Sequence, residues 1–260
     1  MALPERIILD TDPGVDDVLA LLLALSAPAT QLEVVLISVT FGNVEARRCL
    51  RNVVAVFEIL EQELAWRRQN GLPEGFEGVT KHGPIPVAVG AEKPLYEELL
   101  LADYFHGYDG LAGIHESHPH FSPADPWEKF TELAAAQKDV LPARLPQSKD
   151  KDELAGGSSS LSASSSSSSS SFFSPLRTPS HKEILRILRE NEPDTITIVA
   201  VGPLTNLALA AAEDTEAFLR VKEVVSMGGA VDRHGNVCGW MDLQAGDSRD
   251  CPSMINQANQ

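Results

Sequence analysis

The segment Asp10-Thr11-Asp12-Pro13-Gly14-Val15-Asp16-Asp17 packs four carboxylates into one turn, directly after Arg6-Ile7-Ile8-Leu9. Two carboxylates about 4 Å apart repel by roughly 1 kcal/mol in water and about 4 kcal/mol at an effective dielectric of 20. A partly buried cluster therefore needs a bound cation or raised pKa values. A metal ion is the simplest such partner. Arg6 to Leu9 reads as a buried strand, Pro13-Gly14 as a tight turn, and Val18 to Leu25 as an apolar helix that Asp16 or Asp17 caps. The acidic turn then sits at the carboxyl end of a strand, where open parallel sheets bind ligands.

Further along, apolar β-rich runs alternate with helical stretches: Leu32 to Val39, a helix from about Glu45 to Glu63, then Ile85 to Val89. This βαβ order predicts an α/β fold with an open, mainly parallel sheet flanked by helices, a Rossmann-like core. Val53, Val56, Phe57 and Leu60 recur at helical spacing and are expected to pack on the sheet. His181 to Leu188 reads as an amphipathic helix, Thr195 to Val201 as a buried strand, and Leu204 to Ala212 as a helix after Gly202-Pro203. A single domain over residues 1–260 is expected, interrupted at 140–180 by a disordered, phosphorylatable insertion without a part in the chemistry. Between Lys149 and Ser180 the chain turns charged, then Gly-Ser, with unbroken serine from Ser164 to Ser171. Such sequence buries too little apolar surface to offset its ordering entropy.

The formal charge of -16 opposes binding to a nucleic-acid backbone and leaves small nucleosides and cations as partners. Cys49, Cys238 and Cys251 have neither disulfide-framework nor zinc spacing, which suggests a reducing compartment. With no basic-then-apolar leader and no apolar stretch of spanning length, a soluble cytoplasmic protein without membrane contact is expected. His115, His118 and His120 read as solvated loop residues, because Pro119 interrupts them and no acidic or cysteine partners match.

The acidic turn resembles the N-terminal signature of the inosine-uridine preferring nucleoside hydrolase family. Thr40-Phe41-Gly42-Asn43-Val44 is similar to its T-x-x-G-N-V segment, and His106-Gly107-Tyr108-Asp109-Gly110-Leu111 to its H-G-x-x-G-L loop. Val201 to Ala208 and Met227-Gly228-Gly229-Ala230 follow in the family's order. The resemblance implies hydrolysis of the N-glycosidic bond of ribonucleosides, with Ca2+ as cofactor. It implies Asp12, Asp17 and the backbone carbonyl of Val201 as metal ligands, and Asp12 as the base that activates water. Asp16, Asn43, Met227 and Asn236 would contact the nucleoside. Asp10 would orient the cluster from behind, and His106 would sit on a loop able to close over substrate. The resemblance also admits a homo-oligomer, since family members commonly form dimers or tetramers, although no self-association surface is readable in the residues.

Beyond Val237 the chain departs from the family. Asp242 and Gln244 stand where a glutamate and a second asparagine are expected, and the family's later calcium-binding aspartate and histidine have no counterpart before Gln260. Residues 237–260 therefore read as a divergent tail on a truncated form. The alternative to an active hydrolase is a catalytically impaired nucleoside-binding paralogue. Asp10-x-Asp12 also fits the nucleophile and acid of a haloacid-dehalogenase-like phosphatase, but Gly14 replaces the Thr or Val that such a site wants. A sugar-nucleotide transferase using an Asp-x-Asp motif does not account for Asp16 and Asp17.

Overall fold

The computed structural model describes residues 3–96, 99–123 and 172–227. Six parallel strands form one sheet in the order β4-β3-β2-β1-β5-β6. They are β1 (Glu5–Thr11), β2 (Leu32–Val39), β3 (Ile85–Val89), β4 (Phe173–Pro175), β5 (Ile196–Ala200) and β6 (Glu223–Ser226). The longer helices are α1 (Val15–Ser26), α2 (Ala46–Gln69), α6 (Ser180–Glu190) and α7 (Thr205–Glu213). One-turn helices α3 (Glu77–Thr80), α4 (Asp103–His106), α5 (Ile114–Ser117) and α8 (Thr215–Phe218) complete the set, with a 3-10 turn at Pro119–Phe121. The expected α/β architecture is the observed one.

Side chains alternate across β1. Ile7 and Leu9 join a core with Leu21 and Leu25 of α1 and with Val53, Phe57, Leu60 and Leu64 of α2. Ile8 faces the opposite layer with Ile184, Leu185 and Leu188 of α6 and Leu207 of α7. Burial on both faces explains why these strands are nearly continuous apolar runs. A bulge between β1 and β2 pairs Ile7 with Val34 but Ile8 with Leu36. That extra residue on β2 lets Val34 and Ile37, three apart, enter the same core, and it brings Ser38 opposite Asp10.

Strand order reverses between β1 and β5, which makes their carboxyl ends the switch point at which open α/β sheets bind ligands. The acidic turn leaves β1 and Val201-Gly202 leaves β5 at this crevice.

Three expectations need correction. Helix α1 begins at Val15, ahead of Val18, because Asp17 accepts the Gly14 N–H at 3.2 Å from inside the first turn. Helix α2 continues past Glu63 to Gln69, where Arg67 Nε donates to Glu63 Oε1 at 2.6 Å. Residues 172–180 are not part of a disordered insertion. Phe173 is buried and stacks on Phe57 at 5.0 Å, and the Ser180 hydroxyl donates to the Ala88 carbonyl at 2.7 Å. The serine run and the tail at 237–260 lie outside the described residues, as do Asp242 and Gln244. No helix among the described residues is long and apolar enough to cross a membrane.

Candidate active site

Asp10, the last β1 residue paired with both neighbouring strands, is fully buried. Its Oδ1 accepts from the Ser38 hydroxyl and from Asn206 Nδ2 at 2.9 Å. Asn206, in the first turn of α7, also donates to Ser38 Oγ at 3.1 Å and accepts the Ala91 N–H at 2.8 Å, so it ties the ends of β1, β2 and β3 together. Gly90 packs so tightly on the Asn206 amide that a Cβ there would overlap it. Burial pushes the Asp10 pKa up to about 7, against the lowering effect of these two donors.

Asp12 is 2% exposed. Its Oδ2 accepts the Asn43 N–H at 2.7 Å, whereas its buried Oδ1 has no hydrogen-bond partner among the described residues. Gly42 and Gly202 wall the carboxylate in. A Cβ on Gly202 would stand 2.5 Å from Asp12 Oδ1, and one on Gly42 would overlap Oδ2. Asp17 is held by the Thr11 hydroxyl at 2.8 Å and by Asn43 Nδ2 at 2.8 Å, and the same amide donates to the Asp12 carbonyl at 2.9 Å. Burial, then repulsion from Asp17, raises the Asp12 pKa well above the carboxylate range. Burial raises that of Asp17 as well.

These carboxylates resist ionising together, and a cation would reverse that. The donors present fit a hard ion: all are oxygens, and one is a buried carboxylate oxygen with nothing bound to it. They would supply one side of a coordination shell. No group of three or more His, Cys, Asp or Glu side chains among the described residues has the geometry of a metal site.

The other expected site residues fall around this cluster. Asp16 is exposed at the mouth, 3.9 Å from His106 Nδ1. Val201 donates its N–H to the Asp10 carbonyl at 2.9 Å, and the Val201-Gly202 peptide lies beside Asp12. Met227, 60% exposed, follows β6, with its N–H on the Ala200 carbonyl at 2.9 Å. Asn236 and Gly228 to Ala230 lie outside the described residues.

His106, at the end of α4, is buried, and it accepts the Val15 N–H on Nδ1 at 3.2 Å. The ring therefore carries its proton on Nε2 and braces the start of α1. His115 departs from expectation. It is buried, with Nε2 2.8 Å from Asn52 Oδ1 and Nδ1 2.9 Å from Ser122 Oγ, whereas His118 and His120 are exposed. Sequence reasoning missed Ser38, Asn52 and Asn206. A polar residue inside an apolar strand or on an apolar helix face was the available signal.

A parallel sheet with buried carboxylates at its switch point defines an α/β protein of the class whose small-ligand sites lie at the strand ends. A model of the family described as inosine-uridine preferring nucleoside hydrolase matches residues 7–243, and the chain belongs to that family. Uridine nucleosidase 1 of Arabidopsis thaliana is 30% identical over 234 residues, covering 90% of this chain and 47% of that protein. The pyrimidine-specific ribonucleoside hydrolase RihA of Salmonella arizonae is 32% identical over 231 residues, covering 89% and 50%. Among solved structures, an inosine-guanosine nucleoside hydrolase shares the fold with a TM-score of 0.56 at 24% identity, over 89% of this chain and 52% of that one. A plant nucleoside hydrolase gives 0.51 at 26% identity, over 87% and 48%. The chain thus spans about half the length of the curated relatives it matches.

Proposed function

We propose that this chain hydrolyses the N-glycosidic bond of ribonucleosides to ribose and free base. The observation that carries this reading is the Asp12 carboxylate, buried between two glycines with Oδ2 fixed by Asn43 and Oδ1 without a partner. Such an oxygen is placed to bind an ion or to take a proton. Its relatives are named for uridine, pyrimidine and inosine-guanosine nucleosides, so ribose attached to a base is the shared substrate element.

Asp12, Asp17 and the Val201 carbonyl would hold calcium, which accepts irregular all-oxygen shells. Calcium at this position would orient the ribose and make water easier to deprotonate. Asp12 Oδ1 takes the proton from the attacking water. Asp16 at the mouth, with Met227 and Asn236, contacts the nucleoside, while Asn43 holds Asp12 and Asp17 in register and offers the ribose a polar neighbour. Departure of the base leaves an oxocarbenium-like sugar, whose positive charge the clustered carboxylates stabilise. Asp10 stays behind the cluster as the anchor of β1, and His106 braces Asp16 through Val15.

A reducing, cytoplasmic setting is supported by Cys49, a buried free thiol, and the charge of -16 disfavours a nucleic-acid partner. A homo-oligomer is compatible with this reading. The second reading, a nucleoside-binding paralogue without turnover, draws on the departure from the family pattern after Val237, where Asp242 and Gln244 stand in place of a glutamate and an asparagine. Incubation with inosine and uridine at about millimolar calcium, followed by reducing-sugar detection, separates the two. Hydrolysis predicts ribose above an Asp12→Asn control. Ribose at the control level, with nucleoside retained in equilibrium dialysis, would establish the second reading instead.

A further inference from the structure

Asn52 lies among the buried residues Val53, Val56 and Phe57 of α2 and is itself fully buried. A buried amide without partners is costly, by about 1 to 3 kcal/mol, so its bonds deserve an account. Its Nδ2 donates to the Pro13 carbonyl at 2.9 Å and to the Asp109 carbonyl at 2.9 Å. Both amide protons are thus used, and Oδ1 acts as acceptor for His115 Nε2 at 2.8 Å. His115 therefore carries its proton on Nε2, and Ser122 Oγ lies 2.9 Å from Nδ1 on the other side.

The two carbonyls belong to different parts of the site. Pro13 is the residue after Asp12, and Asp109 belongs to the loop that runs from His106 to His115. That loop is itself rigidly tied, because the Asp109 carboxylate accepts the N–H groups of Leu111, Gly113 and His115 at 2.8 to 3.0 Å. Gly110, at φ +83, brings the loop against Asn52, with room for no Cβ: one would stand 2.8 Å from Nδ2.

We infer that Asn52, oriented by His115, is a positioning residue that clamps the 106–115 loop to the acidic turn and holds Asp12 in place for binding and chemistry. The amide cannot rotate without losing both carbonyl bonds, because His115 recognises only the oxygen end. The loop's placement and the turn's placement are thereby one event. The binding arm of the test rests on the calcium reading above, whereas the exchange arm does not.

Amide hydrogen exchange of the full chain, with calcium titration calorimetry alongside, tests the clamp in Asn52→Leu, His115→Leu and His115→Gln. Asn52→Leu and His115→Leu should raise exchange in residues 12–17 and in 106–115 together, while β2 and β3 keep their protection. Calcium affinity should fall by about 10-fold, the lower end for loss of a partner that orients a ligand. His115→Gln retains an N–H donor and should restore both readouts to within about 3-fold of the unsubstituted chain. Faster exchange in the loop alone, or a lowered melting temperature with unchanged calcium affinity and unchanged turn exchange, would overturn the inference and leave Asn52 a packing residue. If Asn52→Leu does not fold, the two His115 variants decide it. Absence of calcium uptake by the unsubstituted chain would count against the calcium reading alone, since the exchange comparison still judges the coupling.

Discussion

The two flanks of the sheet are finished differently. On the β1–β2 flank, α1 and α2 cover one face and α6 the other, and six of the eight β2 residues from Val34 on include only Val35 as a partly exposed member. On the opposite flank all four residues of β6 are exposed, Val224 at 40% and Val225 at 49%, although β5 beside it is largely buried. The candidate site straddles this divide. Its carboxylates emerge from the covered flank and are hydrogen-bonded by Ser38, Asn43 and Asn206, while Val201 and Met227 stand on the open one. The carboxylates thus sit in close-packed surroundings, and the side on which Val201 and Met227 stand is more open.

Core truncation should expose the contrast most strongly. Phe57→Ala removes a fully buried ring that stacks on Phe173 and should destabilise the protein by about 3 to 5 kcal/mol in urea unfolding. Gly202→Ala sets a methyl against Asp12 and should cost about 1 to 3 kcal/mol, together with a loss of calcium affinity in calorimetry. A Gly202→Ala protein with unchanged stability and affinity would place the open flank's first turn outside the site. Val224→Ala, by contrast, should stay within about 0.5 kcal/mol of the unsubstituted chain. A larger effect there would mean that β6 is covered in solution.

The smallest expected effect concerns His181 at the start of α6. Burial lowers its pKa, against the opposing pull of Glu213, whose Oε2 lies 3.2 Å from Nε2. The unfolded chain protonates this histidine near its ordinary value of about 6.5, whereas the folded chain takes the proton only at lower pH. Stability should therefore be fully present above that value and decline as pH falls below it. His181→Gln should make the decline shallower when both proteins are unfolded in urea across about pH 7.5 to 5 with calcium present. Parallel curves would contradict this.

Much of this design was legible in the residues. The bounds of β2 and β3 follow from apolar, β-rich runs, and the acidic turn stands out because a bound ion or suppressed ionisation is needed to accommodate it. The bulge opposite β1 left no local mark: Val34 to Ile37 is an unbroken apolar run, so a register shift changes which side chains face which core without changing the pattern. The short strands β4 and β6 were too brief to carry a period. His115 looked like its exposed neighbours His118 and His120, because its burial depends on Asn52, 63 residues earlier in the chain. The burial of His106 left no local signal either, since the Val15 N–H that fixes it lies 91 residues away.

Isothermal titration of calcium into chelator-stripped protein near neutral pH reaches the central claim most directly. The account predicts saturable uptake of one ion per chain and its loss, by about 100-fold or more in affinity, in Asp12→Asn, beyond the 10- to 100-fold typical of removing a ligand's supporting partner. Folded protein that takes up no calcium at millimolar concentration, or an Asp12→Asn variant that binds as well as the unsubstituted chain, would contradict it.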